Sequence, residues 1–483
     1  MSARTEDIIM EDTKDSFTIS ESAKGKGLKD GELDESRLAG CLTEDNQIAP
    51  DIVGALRSND RTKQLDAAKK LARLADEREG AAILPIINSG IISNIVDMIS
   101  LDDIDLQVHL TAVLATTTSG SLEHTTVIAN SGAIPKFVSI SSSSTSDRAR
   151  DDALLALGNI GGDSRLLRDM VIGEGGLQPI LDILRNPSEK KDSHRYWAAN
   201  ALERITRSVG PYTTEYEPTS DIVPALTAYI EYQKDETAES LRACLLALCH
   251  ILSDASFVDA ILQTGIIPRL VQLCTSTQPR LRHTALRCVG RILSYSDAGT
   301  NQLTDAGIIE ALRPCITSED PRDRRRSCWA VSNIAAGTLE QAKALIAAGF
   351  VPPLVKVASD PAQESDVRGD AIWALASMAY NWGRHHSPIL ETLFETNCLE
   401  AFFSALVLSD TSAASVSLKS IRTFLNTWWD GKSKAIERSK AIGGVLALRA
   451  FKLRQEPDLA QERLLAHMIL KEDLRESSLP PRV

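Results

Sequence analysis

Aromatic residues are scarce in this chain of 483 residues, at 5% of positions. No apolar run approaches the roughly 18 residues that a membrane-spanning helix needs. Alternation of β-branched and polar residues is rare as well, whereas alanine and leucine are abundant. These absences disfavour a membrane span and a β-sheet fold, and they favour helices. We therefore expect an all-α fold without a membrane partner.

Paired cysteines and excess positive charge are also missing. The eight cysteines include no CxxC pair, and most lie within apolar helical stretches. They are expected to be reduced core residues of a protein of the nucleus and cytoplasm. The formal net charge is −12, which disfavours direct nucleic-acid binding and favours a cationic partner.

Catalytic and metal-binding motifs are lacking too. The sequence contains no GxSxG, no HExxH and no pair of carboxylates that a pocket would organise. His385 and His386 have no Cys, Asp or third His at ligand spacing. The sequence therefore predicts no enzyme activity, no metal site and no cofactor.

What the sequence has is a long internal repeat. A short anchor, usually glycine followed by two apolar residues and often proline, recurs every 42 to 48 residues. Each anchor begins an apolar helix such as "PRLVQLC", followed by a polar gap and a second apolar helix such as "HTALRCVGRIL". The nine anchors begin at Gly90, Gly132, Gly176, Asp221, Gly265, Gly307, Gly349, Asn397 and Gly443. This period is typical of armadillo or HEAT units. With one more unit near residues 49–88, it predicts an all-α, right-handed superhelical solenoid of about ten armadillo repeats.

The two ends of the chain differ from the repeats. Residues 1–48 hold twelve acidic and six basic residues and no sustained period, which predicts a disordered acidic N-terminal tail. Residues 49–470 are predicted to form the armadillo solenoid. Residues 471–483 are predicted to form a short C-terminal tail.

One helix carries an unusual pair of side chains. The stretch "SCWAVSNIAAG", residues 327–337, is apolar and alanine-rich, so it predicts a buried helix that ends at Gly337. Trp329 and Asn333 are four residues apart and lie on one face of that helix. Either the pair belongs to the core, or it grips an extended peptide. In the second interpretation, the amide bonds the peptide backbone and the indole packs against peptide side chains.

The longer stretch "RRSCWAVSNIAAGTLEQAKALIAAGFVPPLV" resembles importin-α, a family of armadillo adaptors for nuclear localisation signals. "ALLALGNIGGDSRLLRDMVIGEGG" and "TALRCVGRILSYSDAGTNQLTDAG" are similar to the family's third and sixth repeats. The likeness covers about residues 49–470. In that family the third helix of each repeat lines a concave groove, where rungs of one tryptophan and one asparagine hold an extended basic peptide. The resemblance implies a major site on the second to fourth repeats and a minor site on roughly the sixth to eighth.

The implied major site is degenerate. Ala112 and Thr116 replace the rung of the second repeat, and Leu155 takes the tryptophan position of the third. What survives resembles the family's pocket for a key lysine of the signal, with a carboxylate as the partner of that lysine. The implied peptide-binding residues of the major site are Gly120, Thr125, Asn159 and the carboxylate Asp163.

The implied minor site keeps more of the family pattern. The seventh repeat retains a whole rung, and the eighth retains its tryptophan with Ser377 in the asparagine position. Indole faces attract a Lys or Arg side chain by about 0.5–1 kcal/mol, and an Asn amide can pair with a peptide backbone. The implied peptide-binding residues of the minor site are Arg287, Trp329, Asn333, Asp370 and Trp373.

Three arginines depart from the family pattern. Arg204 and Arg291 occupy asparagine positions of rungs, and Arg326 replaces an acidic residue one turn before Trp329. A more basic middle of the groove disfavours a cationic guest there. We therefore predict weak binding of ordinary basic signals, with preference for the minor-site side, or a changed ligand with an acidic segment in its middle.

The N-terminus also departs from the family, which carries an Arg/Lys-rich importin-β-binding segment there. This sequence has Lys24, Lys26 and Lys29 among acidic residues and no basic cluster. Importin-β is thus left open as a partner and is not favoured.

Three further patterns carry local predictions. "RDRRRS", beginning at Arg322, predicts a solvated helix face or a docking patch for acids. Trp197 is predicted to be a core residue. Trp428 and Trp429 are adjacent and cannot share one helical face, so one of them is expected to be exposed.

The predicted function is an importin-α-like adaptor that binds nuclear localisation signal peptides of cargo proteins for import into the nucleus. Its predicted locations are the cytoplasm and the nucleus. The alternative is an armadillo-repeat scaffold or chaperone for one dedicated partner, without importin-β-dependent transport. A receptor for basic peptides should lose affinity steeply as salt rises, whereas an apolar groove should not.

Overall fold

The computed structural model describes residues 40–78, 80–207 and 221–474. Within these ranges the chain forms helices and no strand, apart from one antiparallel bridge between Leu42 and Ile48. The predicted all-α class is confirmed. The chain divides into two compact units, residues 1–120 and 121–483.

The first unit contains helices α1 to α5, which are Pro50–Leu56, Arg61–Arg78, Gly80–Asn88, Ile92–Met98 and Ile104–Thr117. Helices α2 and α5 pack together. Asp103 caps α5 by accepting a hydrogen bond from the Leu106 N–H, and its Oδ2 lies 2.7 Å from Nε of Arg61 on α2. One carboxylate thus begins a helix and links it to its neighbour.

The second unit contains helices α6 to α28. They are Leu122–Asn130, Ala133–Ser143, Asp147–Asp163, Arg165–Gly173, Leu177–Arg185, Asp192–Arg207, Ile222–Tyr232, Glu239–Ile251, Val258–Leu262, Ile267–Leu273, Pro279–Tyr295, Asp297–Asp305, Ile308–Ile316, Pro321–Ala336, Leu339–Ala347, Val351–Ser359, Ser365–Ala376, Ser387–Glu395, Cys398–Ala405, Thr411–Asn426, Lys432–Ala441, Gly444–Lys452 and Ala460–Met468. Two short helices and a longer third helix recur, as the family resemblance implies, whereas the repeat pattern alone indicated two apolar helices per unit.

The anchors mark sharp turns between the two short helices of a repeat. Gly132, Gly307 and Gly443 have φ of 80°, 89° and 80°, and Asn397 adopts φ of 62°. These left-handed conformations suit glycine and, less readily, asparagine, which explains the residue types of these four anchors. The helix pair on either side of the Gly349 anchor is bent by 83°.

Such bends also bear on membrane insertion. In the described part of the chain, no single helix has both the length and the apolar composition to cross a bilayer. Three bent helix pairs reach that length and composition only when the two helices are taken together.

The third helices of successive repeats pack side by side. Helix α8 approaches α11 closely because two of its glycines face α11: a Cβ on Gly158 would lie 2.7 Å from Cα of Ala201, and one on Gly161 would lie 2.7 Å from Cγ1 of Ile205. Equivalent residues of neighbouring repeats therefore meet about one period apart along the chain. This stacking confirms the predicted helical solenoid.

The predicted tails are described only in part. Residues 1–39 and 475–483 lie outside the described residues. Cys41 and Ile48 are buried, so the last residues of the predicted N-terminal tail pack against the protein. A π-helical turn, Ile469–Asp473, spans the predicted start of the C-terminal tail. The predicted domain boundaries stay predictions.

The prediction that "RDRRRS" is a solvated face holds for Arg322, which is exposed, and is wrong for Asp323 and Ser327, which are buried; the other three arginines of the segment are half-buried. Asp323 is 1% exposed and accepts hydrogen bonds from Arg282 of the preceding third helix. Arg324 Nη1 donates to the backbone carbonyls of Ser318 and Glu319. The segment therefore joins two repeats, because long side chains at a helix N-terminus reach the neighbouring turn and helix.

A second ionic cluster joins α8 to α11. His194 is buried, and its Nε2 lies 3.4 Å from Oδ1 of Asp147 and 3.8 Å from Oδ1 of Asp151. Burial raises the pKa of Asp151 to about 6, although a hydrogen bond with Ser193 opposes the shift. The ionised form of this carboxyl group is thus costly in the folded state at neutral pH.

We expect Asp151→Asn to raise the free energy of unfolding at pH 7.5 by about 1–3 kcal/mol. The folded-state pKa lies above the unfolded value, so the wild-type protein loses stability as pH rises through that window. At pH 4 the wild-type carboxyl is largely protonated when folded, and the gain should nearly vanish. Urea denaturation at the two pH values measures this. Asp147→Asn is the control, since Lys191 lowers the pKa of Asp147 and its loss should give no gain. An equal gain at both pH values would contradict the prediction.

Candidate functional site

The candidate site lies on three neighbouring third helices of the second unit, α16, α19 and α22. Helix α19 begins at Pro321, whose fixed φ suits a first helical position, and the Asp320 side chain caps it by accepting from the Arg322 N–H. Its alanine-rich body then packs between α16 and α22. This packing fixes the direction in which Trp329 and Asn333 point.

Trp329 lies against the preceding third helix. The residue is 7% exposed, and a Cβ on Gly290 would come within 2.1 Å of its Cζ3. The indole therefore covers Gly290, where the missing side chain leaves room for the ring. Both interpretations of Trp329, as a core residue and as a peptide contact, are compatible with this geometry. The ring packs against Gly290 on one side and retains a small accessible surface.

Asn333 is held by a hydrogen-bond chain. It is 8% exposed, and its Nδ2 donates to Oγ of Ser294 at 2.9 Å. Ser294 Oγ in turn donates to the carbonyl of Gly290 at 2.9 Å. Ser294 thus orients the Asn333 amide, a role that the sequence analysis missed. Ser294 lies one repeat earlier, 39 residues before Asn333, at the spacing at which neighbouring third helices meet.

Trp373 provides a second indole, on α22. It is half-buried, and its Nε1 donates to Oγ of Ser412 on the next third helix at 3.3 Å. Asp370, one turn earlier, is buried. Ser377, at the asparagine position, begins a π-helical segment, Ser377–Gly383. Such π-helical segments are rare in proteins, but those that occur often lie at functional sites.

Arg287 and Arg291 lie on α16 and are both buried. Arg291 is 3% exposed, and its Nη1 donates to the carbonyl of Cys249. It therefore points into the protein. Burial, followed by the charges of Arg287, Arg291 and Arg207, lowers the pKa of His250 to about 3. The surroundings of His250 are thus positively charged, although Arg291 is not an open contact.

The implied major-site residues divide between the two units. Thr125 on α6 donates from Oγ1 to Oδ2 of Asp163 at 2.5 Å. Burial raises the pKa of Asp163, while the Thr125 hydrogen bond and the charge of Arg204 oppose the shift. Asn159 is 2% exposed. Gly120 is the last residue of the first unit. The structure thus brings Thr125 and Asp163 together, and it buries Asn159 on the same helix as Asp163.

Two tryptophan predictions have outcomes. Trp197, expected in the core, is half-buried and meets the ring of Tyr196 edge to face, with centroids 4.9 Å apart. The prediction of a core position is therefore wrong. Trp197 lies one helical turn before the rung residue Asn200, just as Asp370 lies one turn before Trp373, and this spacing could have placed it near the candidate surface. Trp428 is 88% exposed while Trp429 is buried, so the prediction of one exposed indole is confirmed.

Comparisons with known proteins agree with this architecture. Residues 254–294 and 296–336 match the family model of the Armadillo/beta-catenin-like repeat. A crystal structure of an engineered protein has a TM-score of 0.73, with 24% identity over 87% of this chain and 98% of its own. That likeness shows the fold.

Curated relatives are importin subunits. Importin subunit alpha-5 of Arabidopsis thaliana is 30% identical over 383 residues, 78% of this chain and 71% of the relative. Importin subunits alpha-1a and alpha-1b of Oryza sativa subsp. japonica are 31% and 30% identical over 63% and 58% of this chain. The chain spans 57% and 52% of the length of those two relatives.

Proposed function

The chain belongs to the importin-α family of armadillo-repeat proteins, and from this premise we propose that it binds basic nuclear localisation signal peptides. The proposal includes delivery of cargo proteins from the cytoplasm to the nucleus. Its principal binding surface would be the face of α19 and α22 that carries Trp329, Asn333 and Trp373. The major site would contribute less, since its rungs have lost their tryptophans.

The observation that carries this proposal is the geometry of Asn333. An amide held by Ser294 through one N–H keeps its orientation and spends no rotamer entropy on binding. Its carbonyl oxygen can accept from a peptide N–H, and its second N–H can donate to a peptide carbonyl. Trp329 on the same helix and Trp373 on the next third helix can pack against the aliphatic stems of Lys or Arg side chains.

Asp163 supports a second, weaker contact for a lysine. Thr125 holds one carboxylate oxygen at the end of α8, and the residue is otherwise exposed. A lysine ammonium beside it would favour the charged form and reverse the raised pKa.

The test is fluorescence anisotropy with a labelled Lys/Arg-rich signal peptide and the full chain. We expect a low-micromolar Kd, about −8 kcal/mol, that weakens as salt rises. The double variant Asn333→Ala/Trp373→Ala should bind about tenfold or more weakly. Trp428→Ala is the matched control, because this exposed indole lies outside the proposed surface. No binding at about 100 μM, or an equal loss in the control, would overturn the proposal.

The second candidate function is a scaffold for one dedicated partner. It is favoured by the lost rungs of the second, third and fifth repeats, where Ala112, Leu155 and Ala247 take the tryptophan positions. Recruitment of importin-β by the full chain separates the two functions, since an adaptor needs that partner and a scaffold does not. Co-purification of the full chain with importin-β measures it.

A further inference from the structure

A cavity of about 590 Å³ opens between the third helices of the fourth and fifth repeats. It is bordered by the first two turns of α11, the end of α12, the loop that follows α12 and the start of α13. Ligand sites in proteins typically have volumes of about 300–1,000 Å³, so this cavity has the size of a binding site. None of these helices carries Trp329, Asn333 or Trp373, so the cavity is separate from the surface proposed for signal peptides.

Two tyrosine rings form the sides of the cavity. Tyr196 lies on α11 and is half-buried, whereas Tyr232 is the last residue of α12 and is 42% exposed. Cζ of Arg195 lies over the Tyr232 ring, 5.7 Å from its centroid. The protein thus already places one guanidinium group on this ring, as the attraction between cations and aromatic faces favours. Because both rings line the cavity, a second cation that enters it can reach an aromatic ring.

Ser240 forms the floor of the cavity, where it is only 7% exposed. Its Oγ accepts a hydrogen bond from the hydroxyl of the buried Tyr229 at 2.7 Å. The lining residue Gln233 is held as well: its backbone carbonyl accepts from Nη2 of Arg269 at 2.8 Å, and its Oε1 accepts from the Asp235 N–H at 3.0 Å. These bonds fix the lining before a guest arrives, so little ordering entropy is lost on binding.

Two cations line the cavity, and both are engaged by neighbouring groups. Arg195 Nη1 donates to the backbone carbonyls of Pro187 and Lys190, both at 2.6 Å, and its Nη2 donates to Oδ1 of Asp192. Lys234 is largely exposed, and its Nζ lies 3.7 Å from an oxygen of Glu231, which is not part of the lining. The cavity therefore holds no cation that waits for an anionic guest in the part of the chain that the structure describes.

Carboxylates at the rim of the cavity supply hydrogen-bond acceptors. They belong to Asp192, Asp235 and Glu239. Asp235 uses Oδ1 to accept from the N–H and the hydroxyl of Thr237, and Glu239 uses Oε2 to accept from Nε of Arg242 at 2.8 Å. Asp192 likewise uses Oδ1 alone, so among the described residues one oxygen of each carboxylate is left for a guest. A carboxylate accepts only, and it can take two parallel bonds from a guanidinium group.

We propose that this cavity binds an arginine side chain presented by a partner protein. The guanidinium group would stack on a tyrosine ring and donate to Ser240 Oγ and to a rim carboxylate. A planar group with five donors makes this combination of contacts better than an ammonium group does. The rest of the volume accommodates the partner residues beside the arginine. The formal net charge of −12 favours the approach of such a cationic partner.

Saturation-transfer difference NMR with the full chain tests the choice of guest. The probes are the Nα-acetyl amides of arginine, lysine and citrulline, of which citrulline is the neutral counterpart of arginine with nearly the same shape. We expect a Kd of about 1 mM for the arginine probe and about tenfold weaker binding of the uncharged citrulline probe. The lysine probe should bind about threefold more weakly than the arginine probe, since an ammonium group cannot donate two parallel bonds from one plane.

A double variant assigns the binding to the cavity. Tyr232→Leu/Glu239→Gln removes one ring and one rim charge, and it should weaken binding of the arginine probe about fivefold or more. Tyr295→Leu/Asp366→Asn is the matched control, because it removes an exposed tyrosine that ends a helix and a first-turn carboxylate that pairs with Arg325. Neither control residue lines the cavity, so the control should bind the probe as the wild type does. The comparison of the three probes tests the inference without any variant.

The variant Asn333→Ala/Trp373→Ala separates the cavity from the surface proposed for signal peptides. It should bind the arginine probe as the wild type does, even where it no longer binds the signal peptide. Loss of the probe in this variant, with retention in Tyr232→Leu/Glu239→Gln, would overturn the inference, since arginine would then occupy the other surface. Equal binding of the arginine and citrulline probes, or an equal loss in the matched control, would overturn it as well. These results leave signal-peptide binding untouched, so the inference and the proposed function can fail separately.

Discussion

Replacing Asp323 with alanine is expected to lower the free energy of unfolding by about 3–5 kcal/mol, the range for breaking a buried ion pair. Asp323 Oδ2 accepts from Arg282 Nη2 at 2.7 Å and from Ser318 Oγ at 2.8 Å, and its Oδ1 lies 3.1 Å from Nε2 of His283. Without the carboxylate, the partly buried guanidinium of Arg282 loses its counter-charge, and His283 keeps only Asp320 as an acidic neighbour. The whole loss falls on the interface between two repeats.

Urea denaturation of the full chain measures this loss. Asp366→Ala is the control, because Asp366 makes a 3.5 Å ion pair with Arg325 on the same helix but is largely exposed. That pair should contribute no more than about 1 kcal/mol. Equal losses of unfolding free energy in the two variants would show that the burial of Asp323 does not strengthen its contribution to stability.

The pH dependence of the same variant has a fixed sign. Burial opposes ionisation of Asp323, but hydrogen bonds with His283, Arg282 and Ser318 hold its pKa well below the usual range. Its contribution is therefore present above the unfolded-state pKa of about 3.9 and is lost as pH falls through the folded value. The difference between wild type and Asp323→Ala should narrow in acid.

The repeat and its third helices could be predicted from the sequence because both depend on local patterns. Most anchors need a residue that tolerates positive φ, and Gly132, Gly307 and Asn397 meet that need. Trp329 and Asn333 share a face because helical spacing decides it. These features require no knowledge of neighbouring repeats.

The positions of the charged groups on long side chains could not be predicted in the same way. Helical spacing fixes where Cβ points, but a guanidinium several bonds away can turn into the protein or toward solvent. Arg291 and Arg324 turn inward to backbone carbonyls, whereas Arg322 stays exposed. The choice depends on which carbonyls the neighbouring turns leave open, and only the packed structure shows that.

Gly290 is the clearest case of a residue whose role depends on another repeat. Gly290 destabilises its own helix, since glycine in a helix interior is less favourable than alanine by roughly 0.5–1 kcal/mol. Its function appears only when Trp329, 39 positions later, lies across it. Sequence alone gives no reason to connect the two residues.

Gly290→Ala should therefore weaken binding of the basic signal peptide about tenfold or more, because the new Cβ displaces an indole that can contact a cation. Local helix propensity favours the substitution, yet a Cβ 2.1 Å from Cζ3 of Trp329 cannot be accommodated without moving the ring. We expect a net loss of about 1–3 kcal/mol in stability, opposite in sign to the propensity effect. Fluorescence anisotropy and urea denaturation measure the two effects.

Gly173→Ala is the matched control, because Gly173 ends α9 and a Cβ there meets nothing within 4 Å. It should leave peptide affinity unchanged. The double variant Gly290→Ala/Trp329→Phe separates packing from recognition, since a smaller ring relieves the clash but attracts a cation less than an indole. We expect it to recover stability without recovering peptide affinity. If Gly290→Ala folds and binds the peptide as the wild type does, Trp329 is a packing residue and the peptide lies elsewhere.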